Sequence, residues 1–374
     1  MNHKTHSGEP ASVAADPLLH ALIARAIVDA GGWLPFDRFM HLALYAPGLG
    51  YYSNASRKFG TMPDSGSDFV TAPELSPVFG ELLAHQVRQA LDATGTDEVW
   101  EFGAGSGALA AQVLDALGER VRRYTIVDVS GSLRARQQER LATWGERVHW
   151  ADRLPPTMEG VVLGNEVLDA MPVTLLQRVA GAWHERGVAL GEEGTFTWVD
   201  RPTPLRPPVE IEGDHDYLTE IHPQAEAFVR TLAAHLRRGA AFLIDYGFPE
   251  AEYYHPQRHM GTLVCHRAHR VDSDPLADVG LKDLTAHVNF TGVALAAQEA
   301  GMEVLGYASQ GSFLINCGLQ ARLESLGTAE RAQAAKLVME HEMGELFKVL
   351  ALGAAAQGVW EPMGFAQGDR THRL

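Results

Sequence analysis

The sequence predicts an α/β fold, a doubly wound and mostly parallel sheet with a β-hairpin insertion and extra helical elements. Strand-like apolar runs alternate with helical patterns from residue 96 onward, which is typical of a parallel sheet covered by helices on both faces. One unit is explicit, because a strand over 99–102 passes through a glycine turn into a helix that begins near residue 108. Acids and amides follow several strands. Since ligands in such sheets bind beyond the C-terminal strand ends, the pattern also predicts a binding site there.

The N-terminal quarter is predicted to hold a tail, helices and a lid. Residues 1–16 are polar and are expected to form a disordered tail, and 17–95 form an N-terminal helical and lid region. Helical spacing of apolar residues covers 17–45 and returns over 78–95. The stretch 46–77 between them is rich in Gly, Pro and Ser. Because irregular segments of this length are often functional, we expect a lid.

The rest of the chain is predicted as a core in two halves around the insertion. The segments are the first half at 96–172, a β-rich insertion at 173–220, the second half at 221–310 with an acceptor-lid loop at 248–285, and helices, a last strand and a tail at 311–374. The predicted core strands lie near 99–102, 124–128, 148–150, 161–164, 241–247, 302–308 and 347–352. Two helices are expected over 311–341.

Composition limits the classes of function. A chain of 374 residues with 46% apolar residues can bury one large core or two ordinary ones. The net charge of −16 argues against a nucleic-acid binder, which needs surplus Lys and Arg, and fits a basic protein substrate. Cys265 and Cys317 are too few for a disulfide framework, so both are expected to be reduced core thiols. Without an 18-residue apolar run or a signal peptide, we expect no membrane span and a bacterial cytoplasmic location.

The glycine turn is the strongest functional signal. Gly103, Gly105 and Gly107 remove every Cβ from the bend, so a ligand can lie against bare backbone. The helix that follows presents free N–H groups and the positive end of its dipole. Asp128 ends the next strand, where an acid grips a ribose diol in nucleotide-binding α/β folds. Together these residues predict a nucleoside-like cofactor.

The spacing around the turn indicates which cofactor. G-x-G-x-G differs from the dinucleotide fingerprint G-x-G-x-x-G. Glu101, two residues before the first glycine, would repel a pyrophosphate but suits an ammonium or a sulfonium. The sequence therefore favours S-adenosylmethionine (SAM). A dinucleotide and a ligand-free turn remain the alternatives.

Long motifs in a fixed order resemble the MidA-type methyltransferases, a family that includes the mitochondrial complex I assembly methyltransferase. They lie at 50–53, 68–80, 101–110, 165–173, 253–266, 285–291 and 343–351. The resemblance spans about residues 18–352 and implies a SAM-dependent methyltransferase with the seven-strand, class I (Rossmann-like) core. It also implies a protein arginine as acceptor, which for the mitochondrial relative lies on a complex I subunit. The family often has Pro and Arg where Ala104 and Ser106 stand here.

A set of residues around the turn is expected to bind the cofactor. Glu101 is assigned to the methionine end, the glycines to close backbone approach and Asp128 to the ribose. Asp152, after the third strand, is a candidate for the adenine amine or else a cap. The resemblance implies that 68–77 closes over the cofactor, with Thr71 and Glu74 as polar contacts. The full predicted set is Glu101, Gly103, Ala104, Gly105, Gly107, Asp128, Val129, Asp152, Thr71 and Glu74.

The predicted acceptor residues follow the fourth strand. Glu166 and Asp169 are three apart, so a short helix would place both carboxylates on one face, where they can hold the N–H fork of an arginine. Alternatively they complement the dipole of a helix N-terminus. Asn165 could orient the nucleophile, and His287 could take a proton after transfer. Asn289 stands where the family commonly has Asp, and the missing charge would weaken an arginine assignment.

The sequence leaves room for other sites and functions. The Tyr and His residues of 253–269 are expected to form a lid over the acceptor channel. A metal is not expected, because Pro256 and Gly261 interrupt the helix that would pair His255 with His259. The alternative functions are a catalytically silent SAM-binding assembly factor, a small-molecule methyltransferase and a dinucleotide oxidoreductase. The oligomeric state is left open.

Overall fold

The computed structural model describes residues 16–54, 70–128, 131–267, 270–354 and 360–374. The predicted tail, apart from Asp16, lies outside the described residues, as do Val129 and residues 55–69 of the predicted lid. Asp16 caps the first helix, since its carboxylate accepts a hydrogen bond from the Leu18 N–H at 2.8 Å.

Sixteen strands form within the described residues. They are β1 Leu34–Pro35, β2 Glu98–Phe102, β3 Arg123–Val127, β4 Val148–Ala151, β5 Met158–Asn165, β6 Thr174–Val179, β7 Ala182–Leu190, β8 Phe196–Pro202, β9 Tyr217–Ile221, β10 Leu236–Phe248, β11 Val264–Arg267, β12 Arg270–Asp272, β13 Asp283–Thr285, β14 Val288–Asn289, β15 Glu303–Ser309 and β16 Phe347–Gly353.

Twelve α-helices accompany these strands in the same part of the chain. They are α1 Pro17–Asp29, α2 Phe36–Tyr45, α3 Ala72–Leu75, α4 Val78–Thr94, α5 Ala108–Leu117, α6 Gly131–Arg140, α7 Pro223–His235, α8 Glu250–Tyr253, α9 Phe290–Glu299, α10 Gln310–Asn316, α11 Leu319–Glu324 and α12 Thr328–Lys336.

The central sheet has the order β4-β3-β2-β5-β10-β16-β15, and β14 adds a short pairing with β10. The first five strands run parallel, and β16 is antiparallel to both of its neighbours. Val161, Val162 and Leu163 of β5 are all buried, as expected for a strand covered on both faces. The predicted doubly wound, mostly parallel sheet is confirmed. Strand order reverses between β2 and β5, which is where ligands bind in such sheets.

Helices cover both faces of this sheet. On one face α4, α5 and α10 bring Phe79, Leu114 and Phe313 into a single buried cluster. On the other face α7 and α9 bury Val229 and Phe290 against the strands. Apolar burial of this extent is the main favourable term in holding the strand ends, and hence the site, in place.

The insertion forms a second sheet with the order β1-β7-β6-β9, and β8 pairs with β7. All its pairings are antiparallel. The N-terminal helices α1 and α2 pack on it through residues such as Ile23, Phe39 and Leu44. The prediction of β-hairpins in the insertion is confirmed.

Two predicted regions contain more regular structure than expected. The predicted lid loop at 248–285 holds α8 and a three-stranded sheet of order β12-β11-β13. The region 311–341 holds parts of three helices rather than two, because Gly318 and Gly327 divide the helical pattern. Cys265 and Cys317 are buried free thiols, as expected. No helix within the described residues is long and apolar enough to cross a membrane.

Candidate active site

A cavity of about 590 Å³ opens at the C-terminal ends of the central strands. This volume is within the usual range for small-molecule sites. Its lining combines the glycine turn, the strand ends, residues at the end of α2 and residues of the three-stranded sheet β12-β11-β13, which we call the lid sheet. No lysine or arginine of the described residues lines it, whereas five carboxylates do: Glu101, Asp128, Glu166, Asp169 and Asp283. The lining therefore suits a cationic ligand, and among the described residues it has no cationic side chain to pair with a pyrophosphate.

The glycine turn has the backbone that its sequence predicted. Gly103, Gly105 and Gly107 have φ values of +62°, +53° and +80°, a region that favours glycine. A Cβ on Gly103 would lie 3.0 Å from the Val167 side chain. Gly103, Ala104 and Gly105 line the cavity, while Gly107 does not line it and is the N-cap residue of α5. The bend therefore leaves room for a ligand against the backbone.

Glu101 is buried at the cavity wall beside this turn. Its carboxylate accepts a hydrogen bond from the Tyr124 hydroxyl at 2.7 Å. Burial raises the pKa of Glu101 to about 8, and the nearby Asp128 charge adds to the rise. A positive ligand group placed here would favour the ionised carboxylate and reverse that shift.

Asp128 lines the cavity and is held by a residue that the sequence did not single out. Gln137 of α6 donates from Nε2 to Asp128 Oδ2 at 2.9 Å and to the Gly105 carbonyl at 3.0 Å. Trp150 Nε1 in turn donates to Gln137 Oε1 at 2.9 Å. Gln137 is fully buried, so it fixes the predicted ribose acid relative to the glycine turn. One glutamine in a polar helix gives no sequence signal for this role.

The two predicted lid contacts occupy different places. Thr71 lines the cavity directly before α3. Glu74 does not line it, and instead accepts hydrogen bonds from the Ser106 hydroxyl and from Arg140 Nη1, the latter at 3.0 Å. Arg140 Nη1 also contacts Ser106 Oγ at 2.8 Å. Glu74 thus connects α3 to Ser106 of the glycine turn.

Asp152 does not reach the cavity. Its side chain is 77% exposed and forms an ion pair with Arg134 Nη2 at 2.8 Å. The sequence placed it near a strand end, which is correct, and β4 is the edge strand of the central sheet. Val129, the remaining predicted cofactor residue, lies outside the described residues.

Glu166 and Asp169 both line the cavity, although the predicted short helix does not form there. Asp245 organises a turn instead, because its Oδ2 accepts from the N–H groups of Val167, Leu168 and Asp169 at 2.9 to 3.2 Å. Glu166 has a φ of +54°, a conformation that costs energy for a residue with a side chain and is frequent at functional sites.

The two predicted acceptor carboxylates, Glu166 and Asp169, have raised pKa values. Burial raises the pKa of Glu166 to about 8, and repulsion from Asp169 and Asp283 contributes. Burial raises the pKa of Asp169 to about 6, while the Tyr246 hydroxyl, which donates to its Oδ2 at 2.5 Å, opposes the rise. Strongly shifted carboxylates in a cavity indicate a functional site.

Several buried polar atoms at this end of the cavity have no partner among the described residues. They are Asn165 Oδ1, Asp169 Oδ1 and His287 Nδ1. Asn165 donates from Nδ2 to Glu166 Oε1 at 3.0 Å, which leaves its oxygen free for a ligand. Burial and the Arg258 charge lower the pKa of His287 to about 4, so its imidazole is neutral. Unpartnered buried groups are costly, and a ligand that donates hydrogen bonds would satisfy them.

The sequence missed an aromatic wall and one more acid. Tyr45 and Tyr52 line the cavity with ring centroids 5.5 Å apart, and Tyr52 donates to both oxygens of Asp283 at 2.8 Å. Tyr246 completes this wall. Tyr52 lies in a stretch quoted for the family resemblance, but nothing in its spacing to Asp283 predicts that they meet.

Asn289 lies outside the cavity lining. Its side chain caps α9 by accepting from the Gly292 N–H at 3.3 Å. The concern that Asn at 289 removes a charge from the acceptor site therefore finds no support in the geometry. Within the described residues, no group of three His, Cys, Asp or Glu residues is placed to hold a metal ion.

Comparison with known proteins identifies the family. Residues 82–308 match the model of an S-adenosyl-L-methionine-dependent methyltransferase family. The chain belongs to this family. A crystal structure from Burkholderia thailandensis with bound S-adenosyl-homocysteine is 50% identical, covers 96% of both chains and superposes with a TM-score of 0.90. A native crystal structure from the same organism is 49% identical with a TM-score of 0.86.

Curated relatives are more distant but cover most of the chain. The mitochondrial protein arginine methyltransferase NDUFAF7 of Danio rerio is 28% identical, over 87% of this chain and 84% of its own. The Homo sapiens protein of that name is 26% identical, over 92% and 85%. The predicted class I methyltransferase fold and SAM as cofactor are thus confirmed.

Proposed function

We propose that this methyltransferase transfers a methyl group from SAM to an arginine side chain of a protein. The observation that carries the proposal is that Glu166 and Asp169 share one cavity with the glycine turn and Glu101. The similarity to curated protein arginine methyltransferases supports the same acceptor. A guanidinium is always protonated and has five N–H donors in a planar fork, which suits buried acceptors in a cavity that no described lysine or arginine lines.

The cofactor end of the cavity is assigned as follows. Glu101 holds the ammonium of the methionine part, Asp128 takes the ribose hydroxyls, and Gly103 and Gly105 allow close approach of the backbone. Thr71 contacts the cofactor from the lid. Bound SAM supplies a methyl group on a positively charged sulfur, which is already electrophilic.

The acceptor end positions the nucleophile. Glu166 and Asp169 accept N–H hydrogen bonds from the guanidinium and hold one nitrogen toward the methyl group, since charge-assisted bonds fix both position and direction. In the transfer the N–C bond forms as the S–C bond breaks, and the nitrogen loses one proton. Asp169 Oδ1 and His287 Nδ1 line the cavity without a hydrogen-bond partner among the described residues, which supports either as the group that takes that proton.

Transfer of label tests the proposal. The purified protein is incubated with methyl-labelled SAM and a lysate of cells that lack its gene, and the labelled proteins are hydrolysed to amino acids. We expect label in methylarginine. Glu166→Gln should keep SAM affinity within about twofold and lose about 100-fold or more of the transfer rate. Label in small metabolites would support the small-molecule alternative, and SAM binding without any transfer would support the silent assembly factor.

Two finer proposals concern the acceptor protein and the location of the reaction. We propose a respiratory complex I subunit as the acceptor, and mass spectrometry of that complex from cells with and without the gene tests it. We also propose that the reaction takes place in the bacterial cytoplasm, which cell fractionation tests.

A further inference from the structure

We infer that Arg258 and Phe248 are positioning residues of the methyl transfer, because they hold the ring of His287 at the cavity wall, where it takes the proton that the acceptor loses. The inference rests on the proposed function above, in which His287 is one of two candidate groups for that proton. Neither Arg258 nor Phe248 lines the cavity, whereas His287 does. Both residues therefore act through the histidine.

Arg258, Phe248 and His287 form a stack, which we call the His287 stack. The rings of His287 and Phe248 are nearly parallel, with an angle of 5° between their planes and 5.2 Å between their centroids. The Arg258 guanidinium lies on the Phe248 ring, with its Cζ 4.0 Å from the ring centroid. These are the geometries of an offset aromatic stack and of a cation–π contact. Arg258 therefore fixes the plane of Phe248, and Phe248 fixes the plane of His287.

The other contacts of His287 leave the orientation of its ring to packing. Its backbone N–H donates to Thr262 Oγ1 at 3.1 Å, which fixes the main chain and not the side chain. Tyr246 meets the ring edge-on, with 5.1 Å between the centroids. The buried Nδ1 has no hydrogen-bond partner among the described residues, so no bond at that nitrogen sets the ring angle. Phe248 is the neighbour whose ring lies parallel to the imidazole, and its position therefore matters most.

Arg258 is held in place by the main chain before it. Its Nε donates to the Glu252 carbonyl at 3.2 Å, and its backbone N–H donates to the His255 carbonyl at 2.8 Å. These bonds tie it to α8 and to the turn that follows, while Phe248 is the last residue of β10. The His287 stack thus connects α8 and β10 to a residue of the cavity wall.

The charges around the stack keep His287 ready to accept a proton. Burial and the Arg258 charge lower its pKa to about 4, and the Lys348 charge acts in the same direction, so the imidazole is neutral at pH 7. In the transfer the acceptor nitrogen binds the methyl carbon as the S–C bond breaks. The methylated nitrogen then carries extra positive charge and is strongly acidic, so a weakly basic imidazole suffices. The proton passes to a ring nitrogen of His287, and the electron pair of the N–H bond stays on the acceptor.

A double-mutant cycle of transfer rates tests the inference. The full-length protein is incubated with saturating methyl-labelled SAM and a lysate of cells that lack its gene, and the initial rate of label transfer is measured. We expect His287→Ala to lose about 100-fold or more of this rate and Arg258→Met to lose about tenfold. The double variant should be as slow as His287→Ala alone, because Arg258 then has no ring to position. A merely structural role of Arg258 would slow transfer by the same factor with and without His287.

Arg258→Lys and Arg201→Met are the controls. Lysine keeps a cation on Phe248, so Arg258→Lys should stay within about threefold of the wild-type rate. Arg201 has matched chemistry, since its Cζ lies 4.5 Å from the Trp33 ring centroid, but neither residue of that pair lines the cavity. Arg201→Met should therefore transfer label as wild type does. S-adenosylhomocysteine affinity, measured for every variant, shows that the cofactor site is folded.

The outcomes separate this inference from the proposed function. If either His287→Ala or Arg258→Met keeps the wild-type rate, or if their effects multiply in the double variant, the inference is overturned and the arginine assignment stands. Label in a residue other than arginine overturns the proposed acceptor, while the cycle still decides the role of the stack. No transfer by wild type would overturn both. Should Arg258→Met not fold, Phe248→Leu replaces it in the cycle with the same expected result.

Discussion

The Tyr246 hydroxyl donates to the Asp169 carboxylate across 2.5 Å at the acceptor end of the cavity. This bond favours the ionised form of Asp169 against the effect of burial, which raises its pKa to about 6. The backbone N–H of the same residue is bound by Asp245, the residue immediately before Tyr246. The end of β10 thus affects both the position and the charge of a carboxylate that we propose binds the acceptor.

Removing this hydroxyl should move the acid limb of the pH–rate profile. In Tyr246→Phe the pKa of Asp169 rises further, so the carboxylate is protonated, and releases the guanidinium, at a higher pH than in wild type. We expect the acid limb of kcat/KM to shift upward by about one pH unit. The control is Tyr307→Phe, which removes a buried hydroxyl that has no partner among the described residues. A Tyr246→Phe profile that coincides with wild type would show that Asp169 does not titrate in the reaction.

SAM binding should release a proton from Glu101. With a pKa of about 8, Glu101 is mostly protonated at pH 7 in the free protein. A bound ammonium or sulfonium lowers that pKa and expels the proton. Calorimetry at pH 7 in buffers with different ionisation enthalpies should give close to one proton released per SAM, and none for Glu101→Gln. Equal buffer dependence of the two proteins would contradict the contact with the cationic end.

Alanine substitutions at two glycines of the same backbone conformation should separate the effect of backbone strain from the loss of ligand contact. Gly103 and Gly95 both have a φ of +62°, so alanine costs about 1–2 kcal/mol of stability at either position. Only Gly103 lines the cavity, and a Cβ there also meets Val167, whereas nothing lies within 4 Å of a Cβ on Gly95. We expect Gly103→Ala to lose about tenfold or more of the S-adenosylhomocysteine affinity and Gly95→Ala to keep it. Equal affinities would place the cofactor elsewhere.

Substitution of Gln137 should lower both the stability of the protein and its affinity for the cofactor. Gln137→Met keeps the side-chain length but leaves Asp128, the Gly105 carbonyl and the Trp150 N–H without this partner. Unfolding in urea should show a loss of about 2–4 kcal/mol, and S-adenosylhomocysteine affinity should fall about tenfold. Gln298→Met, on the exposed side of α9, is the control and should change neither. Loss of stability with unchanged affinity would limit Gln137 to a structural role.

The sequence predicted the parts of the site that local pattern determines. The glycine turn and Asp128 follow from a strand, a turn and a helix within thirty residues, and each falls where that order puts it. Glu166 and Asp169 were predicted to lie close together for a partly wrong reason. They share the cavity because Asp245, about eighty residues away, ties down a turn, and not because a helix forms.

The missed residues depend on contacts between distant segments. Tyr52 meets Asp283 across 231 residues, and no spacing rule connects them. Asp152 follows a strand, as predicted, but lies outside the cavity lining. The edge position of β4 in the sheet is not provided by the sequence alone, and the contact of Asp152 with the adenine amine stays a prediction.

A crystal structure of this protein with S-adenosylhomocysteine and an arginine peptide tests the central claim most directly. The account predicts the adenosyl ribose at Asp128 and the guanidinium between Glu166 and Asp169, with one guanidinium nitrogen facing the sulfur. A guanidinium bound away from these carboxylates, or a cofactor sulfur turned from them, would contradict it.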